Sequence, residues 1–569
     1  MQLRGTIHHV PIDASGAYWA ISYVWGQAPK TWVSPSLETP DGNILLTISL
    51  NDVLKRLRQT GASIMLWADA ICINQTDITE KGLQIRLMGD IYHKALRVVA
   101  WLGHEYDGSD LAIESLKKIR LPVPVSHSTF VNMNGSEGAI LSSGTVSDWT
   151  GNTWAHINQL VDRDWFKRVW ITQELVLGSD IVIMCGETEM DWDHFFEALT
   201  IYEKEINSGH LLDLEKIQLL NHTGPAYSLG RVRRRLKDED RKHSLLELLE
   251  LFAHTQATLE CDKLFALLGL AHDSNDDEFN PDYDSTIEEI VRRYASAFVR
   301  RGATMELLYR SGLSKAYSFC SWIPRWTEGD FPQTISTWDA TGGKFYAGRR
   351  APPVANIGIP PALEVAGSSV DAIKSIHNIR MWPNQQFDSM ADFQNQFKHL
   401  TEYPTGETPA DVLLWLPIGN AKRPHLESDF DKLRSYKPFL NQEVEDWPDN
   451  FREVILSISP EEDPEKYAKL PRESQIILSN YWKTAVAFSK RLSNAVLCFT
   501  TKGYVGLCPN GTVADDEICL LNGGRVPFVL RKGDGESYTL VGECYIHGIM
   551  HGEALKLNPE LSERRFRLV

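Results

Sequence analysis

The sequence has no apolar run near the ~18–20 residues that a membrane-spanning helix requires. Its longest runs, such as Leu264 to Leu270, are short and interrupted, so no segment is expected to cross a bilayer. Cysteine is scarce: eight in 569 residues, at 72, 185, 261, 320, 498, 508, 519 and 544, with no C-x-x-C pair. That scatter excludes a zinc ribbon or a disulfide framework and suits reduced thiols. Positive charge is short as well. The 58 Lys+Arg stand against 75 Asp+Glu, a net charge of -17 with a pI near 5.5. This balance argues against a whole-chain electrostatic hold on nucleic acid or an anionic membrane. The opening MQLRGTIHHVPIDAS lacks the apolar core and cleavage site of a secretory signal, so a cytoplasmic location is expected. No G-x-x-x-x-G-K-[ST], G-x-S-x-G, H-E-x-x-H or G-x-G-x-x-G occurs, which leaves P-loop, hydrolase-elbow, zincin and Rossmann readings without support.

What is present is a packed, multidomain composition. Hydrophobic residues make up 43%, aromatics 10% and charged residues 23%, with mean hydropathy -0.26, which excludes disorder as the main state. At roughly 100–200 residues per domain, a chain of this length holds several. The first two hundred residues alternate strand and helix patterns. Strands are expected at Tyr18 to Trp25, Ile64 to Ile73, Val98 to Leu102 and Ile181 to Cys185. Helices are expected at about Asn51 to Gln59, at Asp110 to Ile119, near Trp165 to Leu177 and at Trp192 to Ile206. Another begins at the Asp77/Glu80 capping pattern and carries Leu83, Leu87, Met88, Ile91, Tyr92 and Ala95 on one face.

This alternation predicts an α/β domain with a largely parallel sheet over residues 1–206. Within it, the Ser/Gly/Asn-rich stretch 126–151 reads as a loop. A mainly helical region over 207–330 is expected next, and then 331–493, mixed loop and strand followed by acidic helix. A small β-rich region, 494–569, closes the chain. Pro527 predicts an edge strand at Val526 to Leu530.

In an open parallel sheet the ligand crevice lies at the carboxyl ends of the strands. The residues there are unusually polar: Ser22, Tyr23, Trp25 and Gly26 at the first strand, Asp69, Cys72, Asn74 and Gln75 at the second, Gly103 and His104 at the third. Taken singly, each is better explained by packing or loop capping; together they form a candidate ligand site. The helix DWFKRVWITQEL adds a second signal. Gln173 falls inside its apolar arc and Glu174 at the edge, where a carboxylate needs a partner or a cleft; Arg168 is the nearest candidate partner.

The blocks YWAISYVWG, LWADAICINQTDITEKGLQIRLMGDIYHKALRVVAWLG and RVWITQEL resemble the fungal heterokaryon-incompatibility (HET) domain. The resemblance continues through DKLFALLGLA, PDYD, GYVGLCP, VPFVLR and GECYIHGIMHGE, covering nearly the whole chain. It implies a filamentous-fungal cytosolic protein of nonself recognition and cell death, with a TIR-like, flavodoxin-like sheet. TIR enzymes that cleave NAD carry a W-C-x-x-E-L block with a catalytic glutamate. This chain reads Trp170-Ile171-Thr172-Gln173-Glu174-Leu175, matching the Trp, Glu and Leu and replacing the cysteine by Ile171.

The resemblance therefore implies Glu174 as the catalytic carboxylate; Asp69, singled out by its place at the end of the second strand, would assist in positioning. Tyr23, Trp25, Gly26, Cys72, Asn74, Gln75, Arg168, Trp170 and Gln173 would contact the substrate. NAD is the candidate substrate and not a cofactor, and no cofactor is expected. The ligand would be a small molecule of nucleotide type, with a protein partner or self-association for signalling. Two other readings stand beside this one: a HET-like scaffold adapted to a different reaction in a biosynthetic pathway, and a non-catalytic interaction module.

Two further patterns draw no function. Arg231 to Arg235 (RVRRR) adjoins Asp238, Glu239 and Asp240 and reads as a solvated mixed-charge helix face. His547 and His551 are of metal-ligand type, but Gly548 and Gly552 argue against the regular helix that would aim both at one ion. Metal analysis of the purified protein is accordingly expected to find no stoichiometric zinc; one equivalent, lost in His551→Ala, would contradict this reading.

Overall fold

The aromatic and β-branched run after Tyr18 becomes an interior strand, second in order, of a five-stranded sheet. Its strands are β1 (Trp19–Tyr23), β2 (Leu66–Trp67), β3 (Arg97–Trp101), β4 (Ile181–Cys185) and β5 (Thr188–Asp191). They lie in the order β2-β1-β3-β4-β5. The first four run parallel and β5 turns back antiparallel on β4. The four expected strands thus share one largely parallel sheet, as β-α alternation requires.

In the computed structural model the described residues are 2–14, 17–26, 35–58, 62–119, 151–207, 214–238, 243–313, 316–317, 320–327, 334–337, 345–349, 355–358, 362–377, 403–407 and 495–569, with 412, 416, 472 and 475. The expected loop at 126–150 and acidic helix at 431–493 fall outside them, apart from those last two positions. Two units are formed, Met1–Ile290 with Trp326–Gly329, and Val291–Arg325 with Asp330–Val569.

Alternation along the strands decides what each face meets. Ile21, Tyr23, Val99, Trp101, Val182 and Met184 point into a core with Leu50, Val53 and Leu57 of α1 (Ile48–Leu57). Thr47 caps α1 by accepting from the Leu50 amide at 3.2 Å. The intervening residues, among them Ser22, face the other way. Helix α2 (Ile78–Lys94) starts where Asp77 accepts from the Glu80 amide at 3.0 Å. It buries Ile85, Met88, Ile91 and Tyr92, with Ala95 beyond its end. Leu83 and Leu87, expected on that face, are exposed, because the buried stripe runs through Ile85, two positions from each of them, to Met88.

Two other expectations fail locally. The strand expected from Ile64 to Ile73 stops at Trp67, and Asp69–Cys72 is a helical turn. There the Asp69 carboxylate accepts from the Ala70 amide at 2.8 Å, a local bond that competes with the sheet ladder. Beyond α3 (Ser109–Lys117) and α4 (Gly151–Val161), the helix expected over 165–177 is two pieces, Asp164–Lys167 and α5 (Ile171–Leu177). Between them Arg168 is extended and pairs with Gln256: Val169 N–H donates to Gln256 O at 2.9 Å and Gln256 N–H to Lys167 O at 2.6 Å.

Helices α6 (Trp192–Asn207) and α7 (Leu214–Asp238) follow. Arg233 of α7, expected on a solvated face, is 2% exposed. Its guanidinium donates to Leu175 O (2.8 Å), Ser179 O (3.2 Å) and Gly178 O, and to Asp193 Oδ1 at 3.2 Å. It satisfies the orphan carbonyls at the negative end of α5, a task the fixed fork of an arginine suits. The middle stretch is helical, including Leu245–Leu251, Asp262–Phe265, a 3-10 turn at Leu268–Leu270 and Ile287–Arg300.

The second unit is β-rich. A 16-residue strand β6 (Ala362–His377) pairs with β7 (Val496–Thr500), with β9 (Glu517–Leu521) and with β13 (Arg564–Leu568). Together with β10 (Phe528–Lys532) and β11 (Ser537–Glu543), pairings β6-β9-β10-β11-β13-β6 close a ring. On the other side β7 pairs with β8 (Val505–Cys508), and β8 with β12 (Tyr545–Ile546). Strand β10 is interior and not an edge, because Pro527 precedes its first ladder residue and needs only its carbonyl, which accepts from the Cys544 amide at 2.9 Å. His547 is fully buried between Tyr545 Oη (3.0 Å from Nδ1) and Glu407 Oε2 (3.0 Å from Nε2), whereas His551 is exposed.

Truncating Arg233 would strand a set of buried carbonyls and Asp193. Arg233→Ala is expected to lower the stability of the N-terminal unit by roughly 3–5 kcal/mol, read from its urea midpoint. Arg233→Lys should recover only part, since one ammonium cannot span the same carbonyls; a loss under about 1 kcal/mol for Ala would contradict the capping role.

Candidate functional site

At the carboxyl end of β1, successive side chains go to opposite faces, and each meets a carboxyl group. Ser22 Oγ donates to Glu174 Oε2 of α5 while accepting from Trp165 Nε1 at 2.8 Å. All three residues are almost fully buried; Glu174 is 2% exposed. On the other face Tyr23 turns its hydroxyl toward Asp69, without a hydrogen bond of good geometry. Asp69 Oδ2 accepts from Trp25 Nε1 at 2.8 Å, and its main-chain carbonyl accepts from Gln75 Nε2 at 3.1 Å. Arg168 donates to the Tyr23 carbonyl. Its positive charge acts on Asp69, Glu174 and Asp262 alike.

Burial dominates the electrostatics. It pushes the Glu174 carboxyl up to about 7; Arg168 and the Ser22 hydrogen bond pull it back, and the Asp69 charge pushes it further. Burial likewise raises Asp69, against Arg168 and the Trp25 and Ala70 hydrogen bonds. Burial and the neighbouring carboxylates raise Tyr23 and Tyr92, which keeps both as neutral phenols. The arrangement is two carboxyls of raised proton affinity, unequally buried, at the end of an interior strand. Such pairs can divide acid and base roles.

Residues 18–174 match the heterokaryon incompatibility protein (HET) family, and residues 415–569 match the Het-6 beta-barrel domain. The chain carries a HET domain. It is also 25% identical to "Heterokaryon incompatibility protein 6, OR allele" of Neurospora crassa, across 96% of this chain and 91% of that protein. No solved structure matches it.

The HET match runs from the strand that carries Ser22 to the helix that carries Glu174, so both halves of the polar cluster lie inside it. Of the residues singled out from sequence, the HET domain brings together Ser22, Tyr23, Trp25, Asp69, Arg168 and Glu174, with Gln75 bracing Asp69 from behind. Cys72 is on the Asp69 turn and exposed. Asn74 is exposed, and its carboxamide oxygen accepts from Thr76 Oγ1 at 2.8 Å. Gly26 is exposed with a positive φ of 70°. His104 turns outward to Asp52, 2.9 Å from Nε2 to Oδ2.

Gln173 faces away from Glu174's partners. Its carboxamide is wedged against Gly269, where an added Cβ would lie 3.0 Å from Oε1. Trp170 is half-buried and directs its side chain at Asp262, whose Oδ1 accepts from Tyr283 Oη at 2.8 Å. Sequence reasoning missed Trp165, which periodicity counts only as an apolar residue, and Asp262 and Tyr283, which stand inside family blocks. The signal available for the last two was an acid and a tyrosine inside otherwise apolar or turn-forming motifs.

Glu174 gives a pH signature. Its proton affinity is higher folded than in the unfolded chain, whose carboxyl has the ordinary value of 4.5. The stability this supplies is complete below about pH 4.5 and is lost as pH rises through about 7, a span on the order of 3 kcal/mol. Glu174→Gln resembles the protonated form, so its stability relative to wild type should increase by about that amount between pH 4.5 and 8.5 in urea titrations. Parallel pH profiles for the two proteins would contradict the raised proton affinity.

Proposed function

We propose that the HET domain is an NAD glycohydrolase-like hydrolase acting in nonself recognition and cell death, on a TIR-like sheet. The order β2-β1-β3-β4 of the parallel strands supports this, being that of the first four strands of flavodoxin-like doubly wound sheets, which bind ligands where the order reverses, at the ends of the first and third strands; β5 departs from that plan by turning back antiparallel. The observation that carries the reading is Glu174: a buried carboxyl at that strand end, held by Ser22 and poised near neutral pH. A ligand would first meet the half-buried rim of Trp25, Asp69, Arg168 and Trp170.

In the reaction, the bond between ribose C1′ and the nicotinamide nitrogen breaks and its electron pair leaves with nicotinamide. The ionised Glu174 stabilises the oxocarbenium-like ribose and takes the proton of the water that adds to C1′, giving ADP-ribose. Asp69 assists by positioning the ribosyl group.

A second reading is favoured by one observation, the 2% exposure of Glu174. A carboxyl so enclosed and hydrogen-bonded also suits a polar brace in a non-catalytic interaction module. Nicotinamide release from NAD separates the two. Purified protein, alone or clustered, is expected to release nicotinamide, and Glu174→Gln to abolish release without lowering Tm by more than about 2–4 °C at neutral pH. A folded Glu174→Gln protein with full activity, or no release by wild type, would leave the brace reading.

A further inference from the structure

The HET match ends at Glu174, yet much of what holds Glu174's neighbours lies about a hundred residues further on. Segment 253–283 grips segment 167–174 at several points. Gln256 pairs with the extended Arg168 through its amide and carbonyl. Thr172 Oγ1 reaches Ala266 O at 3.4 Å, besides Val169 O at 2.6 Å. Gly269 leaves the space that the Gln173 carboxamide fills. Asp262, 7% exposed, accepts from Tyr283 Oη and takes the approach of the Trp170 side chain. Lys81 of α2 stands 4.6 Å from the centroid of the Tyr283 ring, so a third element closes on the same point.

Taking the Glu174–Asp69 centre as the functional site, we infer that Asp262 is a positioning residue of that site. By anchoring Trp170 and Tyr283 it fixes the extended 168–170 segment, and so the Arg168 guanidinium, opposite Glu174 and Asp69. The working module then extends to the Tyr283 region and is not complete at the boundary of the family match. Residues 168–170 form no regular element of their own, so their position is set by what they touch, and Asp262 is a buried carboxyl that the Trp170 side chain reaches. The Asp262 carboxylate acts through Trp170 and Arg168, not on substrate.

The test reads Glu174 without any turnover, so it is independent of whether NAD is cleaved. The charged and titratable groups acting on Glu174 are Arg168 and Asp69, with Tyr23 and Tyr92 coupled to it; Asp262 is not among its direct influences. In full-length protein, the stability difference between the parent and its Glu174→Gln variant is followed against pH. The midpoint of that difference is measured with Asp262 intact and in Asp262→Ala, Asp262→Asn and Tyr283→Phe backgrounds.

Asp262→Ala is expected to move the midpoint up by about half a pH unit, the shift that a tenfold rise in folded-state proton affinity gives while the unfolded value stays at 4.5, because Arg168 is released from its place. Asp262→Asn keeps the acceptor and should restore the wild-type midpoint. Tyr283→Phe should move it up by a smaller amount, and decides the matter if Asp262→Ala does not fold. An unchanged or lowered midpoint in the alanine variant, or an equal shift in the asparagine variant, would overturn the positioning role. A shift as expected in a protein that releases no nicotinamide would keep it and remove only the hydrolase.

Discussion

A carboxyl group buried at the end of an interior strand is costly, and the arrangement around β1 follows from meeting that cost. The Ser22 hydroxyl is the contact that makes it tolerable. It turns toward Glu174 because strand alternation sends residue 22 to the face opposite Tyr23, and it is itself oriented by the Trp165 indole N–H. Trp165 in turn packs edge-on to Phe166. Polar order at the site is therefore inherited from aromatic packing behind it.

Arg168 carries the second half of the compensation. One guanidinium acts on three carboxyls, so none is fully neutralised and burial keeps their proton affinities high. A group held near neutrality can exchange its proton at little cost, which is a property useful in catalysis and awkward in a purely structural brace. Arg168 has this position only because the helix breaks around it. The bridge to Gln256 takes the hydrogen bonds a continuous helix would have used, and Arg233 then caps the short helix that follows. A helix of only seven residues is marginal by itself, so its ends are fixed from outside.

Much of this is legible in the sequence. The strand patterns point to four parallel strands in one sheet, and position at strand ends singles out Tyr23, Trp25 and Asp69 without any geometry. Asp69 and Ser22 are visible because polar residues there stand against an apolar background. Arg233 is not, since a basic run beside acids reads as solvated wherever tertiary contacts are unknown. Trp165 passes for an apolar residue because periodicity counts its ring and ignores its N–H.

The sequence by itself determined which residues alternate, where the helix capped by Asp77 begins, and that Glu174 sits beside an apolar surface, because these depend on periods of two and 3.6 residues and on local capping. Only tertiary structure decided that 164–177 is two helices, that Leu83 and Leu87 face outward, that Arg233 is buried, and that Asp262 and Tyr283 meet Trp170. Each of these is a contact between segments far apart in the chain. Its free energy belongs to the pair and not to either local sequence, so no window read along the chain contains it.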